Sequence, residues 1–194
     1  TYELHRFDPL MKHNALARAS VLCFPGGSRH GLYLPLRDET LVVDNLLANP
    51  DIESTIVGGA HPSWTNAGAG ITVTTETTIV RHGSQAAKIV AGGGAAGQLT
   101  QTFCTVNMDT ITGKSAMFEA WVYATAASTA RIRLSFDGGS TFTSNAYHTG
   151  NSDWEYQKLS VAVPSTATSI TVYLETAAGG TAYFDAAWGG ISPV

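Results

Sequence analysis

Residues 117–136 read MFEAWVYATAASTARIRLSF, and this stretch decides the fold. Two runs within it, 117–124 and 131–136, alternate between apolar and other side chains with a period of two. Successive side chains of a β-strand point to opposite faces, so this period indicates two half-buried strands. The side chains expected to face the core are Phe118, Ala120, Val122, Ile132, Leu134 and Phe136.

The same alternation continues along residues 45–194, and no segment there has a helical period. The strand-like segments are 71–74, 87–90, 99–103, 117–124, 131–136, 141–147, 154–163, 169–175 and 182–188. Glycine, proline and asparagine fall between them, as in 92–94 and 137–139, and such residues favour turns. Short strands at regular spacing predict an all-β, antiparallel β-sandwich.

Alternation also predicts which polar and aromatic side chains face away from the core. They are Trp121, Tyr123, Tyr156, Tyr173, Arg131, Arg133, Glu119 and Glu175. If their strands share one sheet, these residues form one mixed surface, which suits either sugar rings or a protein–protein interface. A third interpretation shifts the register by one residue and places Trp121 in the core. Phe184 and Trp188 are both expected on the core side of the last strand.

Residues 1–44 differ from the rest of the chain, because they contain short apolar runs and no extended alternation. Five basic residues against two acidic ones give residues 1–37 a charge of +3. Ordering each residue costs about 1–2 kcal/mol, so this segment needs contacts from neighbouring chains. We therefore predict an extended N-terminal arm, residues 1–44, that docks on other proteins. The candidate docking residues are Arg6, Leu10, Leu16, Leu32, Tyr33 and Leu34.

Composition and charge narrow the range of partners. The net charge is −4 at pH 7, which is too mild to suggest nucleic acid. No apolar run approaches the roughly 18 residues of a membrane span, so a membrane is not expected either. Residues 1–6 lack the basic-then-apolar pattern of a signal peptide, which predicts synthesis in a cytoplasm.

Catalytic motifs carry little weight in this sequence. Residues 92–97 match the G-x-G-x-x-G pattern, but a strand-like segment follows them where a nucleotide site needs a helix. A glycosidase needs two opposed carboxylates roughly 5–10 Å apart, and the sequence nominates no pair. The histidines show no metal-binding spacing. We therefore expect a non-enzymatic protein that requires no cofactor.

Several stretches of residues 45–194 resemble the jelly-roll carbohydrate-binding modules of bacterial glycosidases, a fold also used in the virion proteins of tailed bacteriophages. They are 45–53 (NLLANPDIE), Trp64, 83–89 (GSQAAKI), Trp154 with 161–164 (VAVP), and 183–186 (YFDA). The resemblance implies a jelly-roll domain over residues 45–194. It also implies a structural calcium held by Glu53 and Asp185, with plain hydrogen bonding as the alternative.

Two functions follow from the arm and the resemblance together. The first is a phage virion structural protein, either a capsid decoration protein or a neck or tail accessory protein. Its arm would dock on the major capsid protein or another virion protein, and its sandwich would face outward on the virion surface, where it could adhere to polysaccharide. The chain would be made in the host cytoplasm and form a homo-oligomer, a trimer by analogy. The second function is a carbohydrate-binding module of a secreted bacterial glycoside hydrolase.

Overall fold

A computed structural model describes residues 45–192. The predicted docking arm, with Arg6, Leu10, Leu16, Leu32, Tyr33 and Leu34, lies outside the described residues. The strands are β1 (Thr65–Ala67), β2 (Thr72–Glu76), β3 (Ala86–Val90), β4 (Gly97–Cys104), β5 (Ser115–Ala124), β6 (Ala130–Ser135), β7 (Thr143–Ser144), β8 (Trp154–Ala162), β9 (Ile170–Thr176) and β10 (Thr181–Ser192). A short helix, α1 (Met108–Ile111), links β4 to β5.

The strands form two five-stranded sheets that pack face to face. The first sheet has the order β1-β4-β9-β6-β7, and the second has the order β2-β3-β10-β5-β8. Neighbouring strands in both sheets are antiparallel. The predicted all-β antiparallel sandwich is therefore confirmed. The domain boundary at residue 45 stays a prediction, because the residues before it are not described.

The core lies between the sheets and follows the predicted alternation. Every second side chain of β5 is fully buried, and the side chains between them are partly exposed. In β9, which is central in the first sheet, every residue is buried. The buried residues of both sheets form one apolar cluster, which includes Phe118, Val122, Ile132, Leu134, Val172, Leu174 and Phe184. Trp121 lies outside this cluster, so its register is the one that the alternation predicts.

A β-bulge in β10 changes the face on which its later side chains lie. Asp185 pairs with Trp121 on β5, and the next pair is Trp188 with Glu119. The three steps of β10 from Asp185 to Trp188 therefore oppose only two steps of β5, and this extra residue reverses the alternation after Asp185. Phe184 is fully buried as predicted, but the placement of Trp188 in the core was wrong. Trp188 is partly exposed on the outer face of the second sheet.

The predicted strand over residues 141–147 shrinks to the two residues of β7. The carboxylate of Asp137 accepts hydrogen bonds from the N–H groups of Ser140 and Thr141 and from the Thr141 hydroxyl. These local bonds stabilise a turn. They use N–H groups that would otherwise pair with a neighbouring strand, so the strand stays short. The helix α1 and the short strand β1 were not predicted. Within residues 45–192, no helix is long and apolar enough to cross a membrane.

We expect Phe184→Ala to lower the free energy of unfolding by about 3–5 kcal/mol, because it leaves a cavity in the core. Trp188→Ala should cost less, roughly 1–2 kcal/mol, since only part of the indole area is buried. Urea denaturation of the two variants measures the difference. Equal losses would place Trp188 in the core and contradict the bulge.

Candidate functional site

The residues predicted to form one outer surface lie on two different sheets. Arg131 and Arg133 belong to β6, and Tyr173 and Glu175 belong to β9, both in the first sheet. The remaining four belong to β5 and β8 of the second sheet: Glu119, Trp121, Tyr123 and Tyr156. The outer faces of a sandwich point in opposite directions, so the prediction of a single mixed surface was wrong. The sequence could not reveal this, because alternation gives the face of a strand but not its sheet.

The outer face of the first sheet carries a compact group of charged and aromatic side chains, which we call the charged face. It consists of Gln98, Arg131, Arg133, Phe142, Tyr147, Tyr173 and Glu175. In the strand register, Gln98 and Arg131 flank Glu175, and Arg133 flanks Tyr173. Sequence reasoning missed Gln98, Phe142 and Tyr147. The last two belong to the segment 141–147, which was predicted to be a strand but forms one only at Thr143–Ser144, so the alternation did not place their side chains.

Glu175 is the centre of the charged face and is only 2 % exposed. Its carboxylate accepts hydrogen bonds from Gln98 Nε2 at 2.6 Å, from Arg131 Nε at 2.7 Å and from the Arg133 guanidinium. Burial by itself raises the pKa of Glu175, but these three hydrogen bonds outweigh it and hold the pKa below the ordinary value. Glu175 therefore remains an anion that binds two cations.

Aromatic rings cover both guanidinium groups. The guanidinium carbon of Arg131 lies 4.3 Å from the ring centre of Tyr147, and that of Arg133 lies 3.6 Å from the ring centre of Phe142. Phe142 also packs edge-on against Tyr173 at 5.0 Å. Phe142 and Tyr147 remain 37 % and 36 % exposed. The face therefore offers solvent-accessible rings directly above a charged hydrogen-bonding network.

One donor of this network has no partner within residues 45–192. The Nε–H of Arg133 is buried and makes no hydrogen bond among the described residues. Buried polar groups in native proteins are nearly always hydrogen-bonded, so an unpaired donor requires an explanation. An ordered water is the usual partner for such a group.

The outer face of the second sheet carries a group of aromatic side chains, which we call the aromatic face. It consists of Trp121, Tyr123, Trp154, Tyr156, Tyr183 and Trp188. Strand pairing places Tyr183, Tyr123 and Trp154 in one row across three strands, and Trp121 pairs with Tyr156 in the next row. Sequence reasoning missed Trp154 and Tyr183, although alternation within their strands places both side chains on this face.

The polar groups of the aromatic face are paired with one another. Lys158 Nζ lies 2.9 Å from Glu119 Oε1, and the hydroxyl of Tyr156 donates a hydrogen bond to Glu119 Oε2. Burial and the bond to Glu119 raise the pKa of Tyr156 to about 12. The guanidinium carbon of Arg81 lies 4.1 Å above the ring centre of Trp121. One face of the Trp121 ring is therefore covered.

The predicted calcium ligands, Glu53 and Asp185, lie near one another at the bulge of β10. The charge of Glu53 contributes to the raised pKa of Asp185, although burial is the larger cause. Asp185 is fully buried, and its Oδ2 atom accepts hydrogen bonds from the N–H groups of Arg81 at 2.8 Å and His82 at 2.9 Å. Its Oδ1 atom accepts one from the N–H of Ala186 at 2.7 Å.

Glu53 is bound in a similar way. Its Oε1 atom accepts hydrogen bonds from the N–H groups of Ser84 and Gln85, and its Oε2 atom accepts one from the Ser84 hydroxyl at 2.6 Å. These bonds hold the pKa of Glu53 below its ordinary value. Gly83 permits the close approach: its φ is +73°, and a Cβ there would lie 2.3 Å from Glu53 Oε1.

This arrangement does not fit a calcium shell. Calcium takes six to eight oxygen ligands, whereas N–H donors and one hydroxyl surround these two carboxylates. Among residues 45–192, no group of three or more His, Cys, Asp or Glu side chains could hold a metal. The calcium site implied by the resemblance stays a prediction, and the hydrogen-bonded alternative describes the observed contacts.

No protein-family model and no curated protein matches this sequence. Solved structures do match the described sandwich. The CBM22-1 xylan-binding domain from Paenibacillus barcinonensis Xyn10C is 16% identical, with a TM-score of 0.55, and the match covers 78% of this chain and 97% of that domain. TmCBM61 in complex with β-1,4-galactotriose is 18% identical, with a TM-score of 0.53, and the match covers 77% of this chain and 99% of that module.

A third similar structure comes from a virus. The enzymatically active domain of tailspike protein 4 of bacteriophage CBA120 is 18% identical, with a TM-score of 0.56. The match covers 76% of this chain but only 21% of that one, so the present chain spans a small part of the tailspike. Identities this low establish the fold alone. The sandwich has the fold of jelly-roll carbohydrate-binding modules, which a phage tailspike also contains, as the sequence resemblance predicted.

We expect the thermal midpoint of unfolding of the full chain to be the same in excess calcium and in excess chelator, because N–H donors already occupy both carboxylates. Glu53→Gln should lower the free energy of unfolding by about 1 kcal/mol in both conditions, since it weakens charge-assisted hydrogen bonds. Differential scanning calorimetry provides the measurement. A midpoint that rises with calcium in the unaltered chain, but not in Glu53→Gln, would establish the calcium site instead.

Proposed function

We propose that the sandwich binds carbohydrate through the charged face. The observation that carries this proposal is the nearly buried Glu175, held by Arg131 and Arg133 beneath two exposed aromatic rings. Placing three charges on a sheet face costs free energy, because each charge loses water. Apolar residues of similar volume would often stabilise a fold as well or better. A cluster of this kind with a perturbed pKa is therefore a candidate binding site.

The chemistry of the charged face matches that of a sugar. A sugar ring has apolar faces, which stack on aromatic rings such as Tyr147 and Phe142. Its hydroxyl groups accept hydrogen bonds, and the guanidinium groups of Arg131 and Arg133, which Glu175 holds in place, are partly exposed donors. The buried Nε–H of Arg133 has no hydrogen-bond partner among the described residues, so the network keeps one unsatisfied donor next to the proposed site. The structural neighbours described as xylan-binding and as bound to β-1,4-galactotriose support the same class of ligand.

We infer that the charged face binds without catalysis. Glycoside hydrolysis requires two carboxylates on opposite sides of the scissile bond. Glu175 is held as an anion by two arginines, which makes it unsuited to donate a proton. Asp137 is another carboxylate in this region, and its charge helps to raise the pKa of Tyr173. Its Oδ1 atom accepts hydrogen bonds from the N–H groups of Ser140 and Thr141, so the turn already uses this carboxylate.

At the level of the whole protein, we propose a bacteriophage virion component. Residues 1–44 would dock on the major capsid protein or on another head, neck or tail protein, and the sandwich would face outward from the virion surface. A homotrimer assembled in the host cytoplasm fits this arrangement. The basic, core-poor arm and the similarity to part of a phage tailspike support the proposal.

The alternative is a carbohydrate-binding module of a secreted bacterial glycoside hydrolase. One observation favours it: matches to this chain span 97% and 99% of solved carbohydrate-binding modules, against 21% of the tailspike. Both functions use the same sandwich. They differ in residues 1–44, which dock on a virion protein in the first function only.

We expect Glu175→Gln to weaken binding to immobilised xylan or β-1,4-galactan by about ten- to a hundredfold, because hydrogen bonds to a charged group contribute roughly 1.5–3 kcal/mol. Affinity electrophoresis measures the loss. The pKa of Glu175 is lowered from 4.5, so the affinity of the unaltered chain should stay constant down to about that pH and fall only when the pH passes the lowered pKa.

Asp109→Asn is the matched control, because it neutralises an exposed carboxylate on α1, outside both faces. It should bind like the unaltered chain. If the unaltered chain is retained by these polysaccharides and Glu175→Gln is retained equally, the charged face is not the site.

We expect a chain lacking residues 1–44 to fold, because residues 45–192 contain two packed sheets and an apolar cluster. It should nevertheless fail to enter phage particles, because the proposed docking arm is missing. Circular dichroism and the protein content of purified particles measure the two properties. Normal incorporation of the shortened chain would argue against docking through the arm, and retention on polysaccharide would then favour the carbohydrate-binding module.

A further inference from the structure

The two arginines of the charged face use only part of their hydrogen-bonding capacity. Arg131 binds Glu175 through its Nε atom, and Arg133 binds it through one terminal nitrogen. Both terminal nitrogens of Arg131 and the second one of Arg133 make no hydrogen bond within residues 45–192, and none of these three atoms is buried. Each of them carries N–H donors in the plane of its guanidinium group. The charged face therefore offers unused donors from two cations.

The charged acceptor of the same network is closed to a ligand. The carboxylate of Glu175 is buried, and the side chains of Gln98, Arg131 and Arg133 bind it. A ligand therefore reaches the guanidinium donors but not the carboxylate between them. A neutral hydroxyl uses part of its hydrogen-bonding capacity to donate, whereas a carboxylate only accepts. An anionic acceptor thus suits this face better than a hydroxyl does.

The charges of the network favour an anion as well. Two guanidinium groups surround one carboxylate, so Arg131, Arg133 and Glu175 together keep one positive charge. Asp137 also acts on this face, since its charge affects Tyr173, and it reduces the attraction for an anion. Its carboxylate is bound within its own turn, however, and leaves the guanidinium donors unoccupied. Hydrogen bonds between a guanidinium and a carboxylate are roughly twice as strong as neutral ones.

We propose that the charged face selects an acidic polysaccharide, whose sugars carry a carboxylate as uronic acids do. This inference rests on the proposed function, because it names the class of sugar that the same site takes. The two terminal nitrogens of Arg131 bind the sugar carboxylate side by side, in the planar geometry that guanidinium groups favour. The exposed rings of Tyr147 and Phe142 contact the apolar faces of the sugars. Glu175 is a positioning residue, since it holds the guanidinium groups and does not touch the ligand.

The test is isothermal titration calorimetry of the full chain with polygalacturonate and with its methyl ester, which has the same sugar rings without the charge. Polymannuronate and its methyl ester form a second matched pair with a different ring geometry. We expect the acid form of at least one pair to bind about tenfold more tightly than its ester, because its hydrogen bonds to the arginines are charge-assisted. This difference should shrink as the salt concentration rises from about 50 to about 300 mM, since salt screens partly exposed charges.

Arg131→Gln should lower the affinity for the acid form about tenfold and change the affinity for the ester by less than about twofold. We expect this variant to fold, because Gln98 and Arg133 still bind Glu175, and circular dichroism checks it. Arg131→Lys keeps the charge but not the planar pair of donors, so it should restore only part of the binding. Lys158→Gln is the matched control, because it removes one positive charge from the opposite sheet. It should bind like the unaltered chain.

The outcomes separate this inference from the proposed function. If acids and esters bind equally and Glu175→Gln weakens both, the preference for acidic sugars is overturned and the carbohydrate site at the charged face stands. A preference for the acid form that persists in Arg131→Gln also overturns the inference, since the carboxylate then binds elsewhere. So does equal binding of poly-L-glutamate, which carries carboxylates without sugar rings, or tighter binding of dextran sulfate. If no neutral or acidic polysaccharide binds, the proposed function fails together with the inference.

Discussion

The buried carboxylate of Asp185 is the interaction on which the arrangement of the faces depends. Asp185 lies in β10, the central strand of the second sheet, and its oxygens bind N–H groups of Arg81, His82 and Ala186. These bonds hold the bulge that turns Trp188 outward and leaves Phe184 in the core. The bulge also frees the N–H of Ala187 to bind Pro50 at the start of the described domain. Burial of the charge is unfavourable, and the three hydrogen bonds offset only part of that cost, because the pKa of Asp185 stays above its ordinary value.

The strands can be predicted well from the sequence, whereas their assembly into sheets cannot. Alternation identifies β5, β6 and β9 and the direction of most of their side chains, because burial on one face directly selects apolar residues at every second position. It fails at Trp188, where the bulge adds a residue, and at residues 141–147, where Asp137 directs the backbone into a turn. It also cannot assign strands to sheets. Arg131 and Trp121 lie in adjacent strands of the sequence, yet their sheets are different.

That separation gives the two faces different physical characters. On the charged face, an anion and two cations lie beneath aromatic rings. The rings lower the local dielectric around these charges, which strengthens the hydrogen bonds between them. On the aromatic face, the ion pair of Lys158 and Glu119 lies near the surface, where solvent weakens it. In the proposed function, the charged face would discriminate among sugars by their hydroxyl positions, whereas the aromatic face offers mainly apolar contact.

Shallow sites built on sheet faces bind weakly when they act alone, because stacking a ring contributes only about 0.5–1.5 kcal/mol beyond area burial. Joining sites changes this, since a second contact becomes intramolecular and can raise the overall affinity by about 10²–10⁴ without a new interface. The copies of a virion protein obtain that gain from their shell, and a module in a hydrolase obtains it from its enzyme. Both proposed contexts therefore have the same physical basis: the sandwich would supply weak, oriented binding faces, and residues 1–44 would determine how many of them act together.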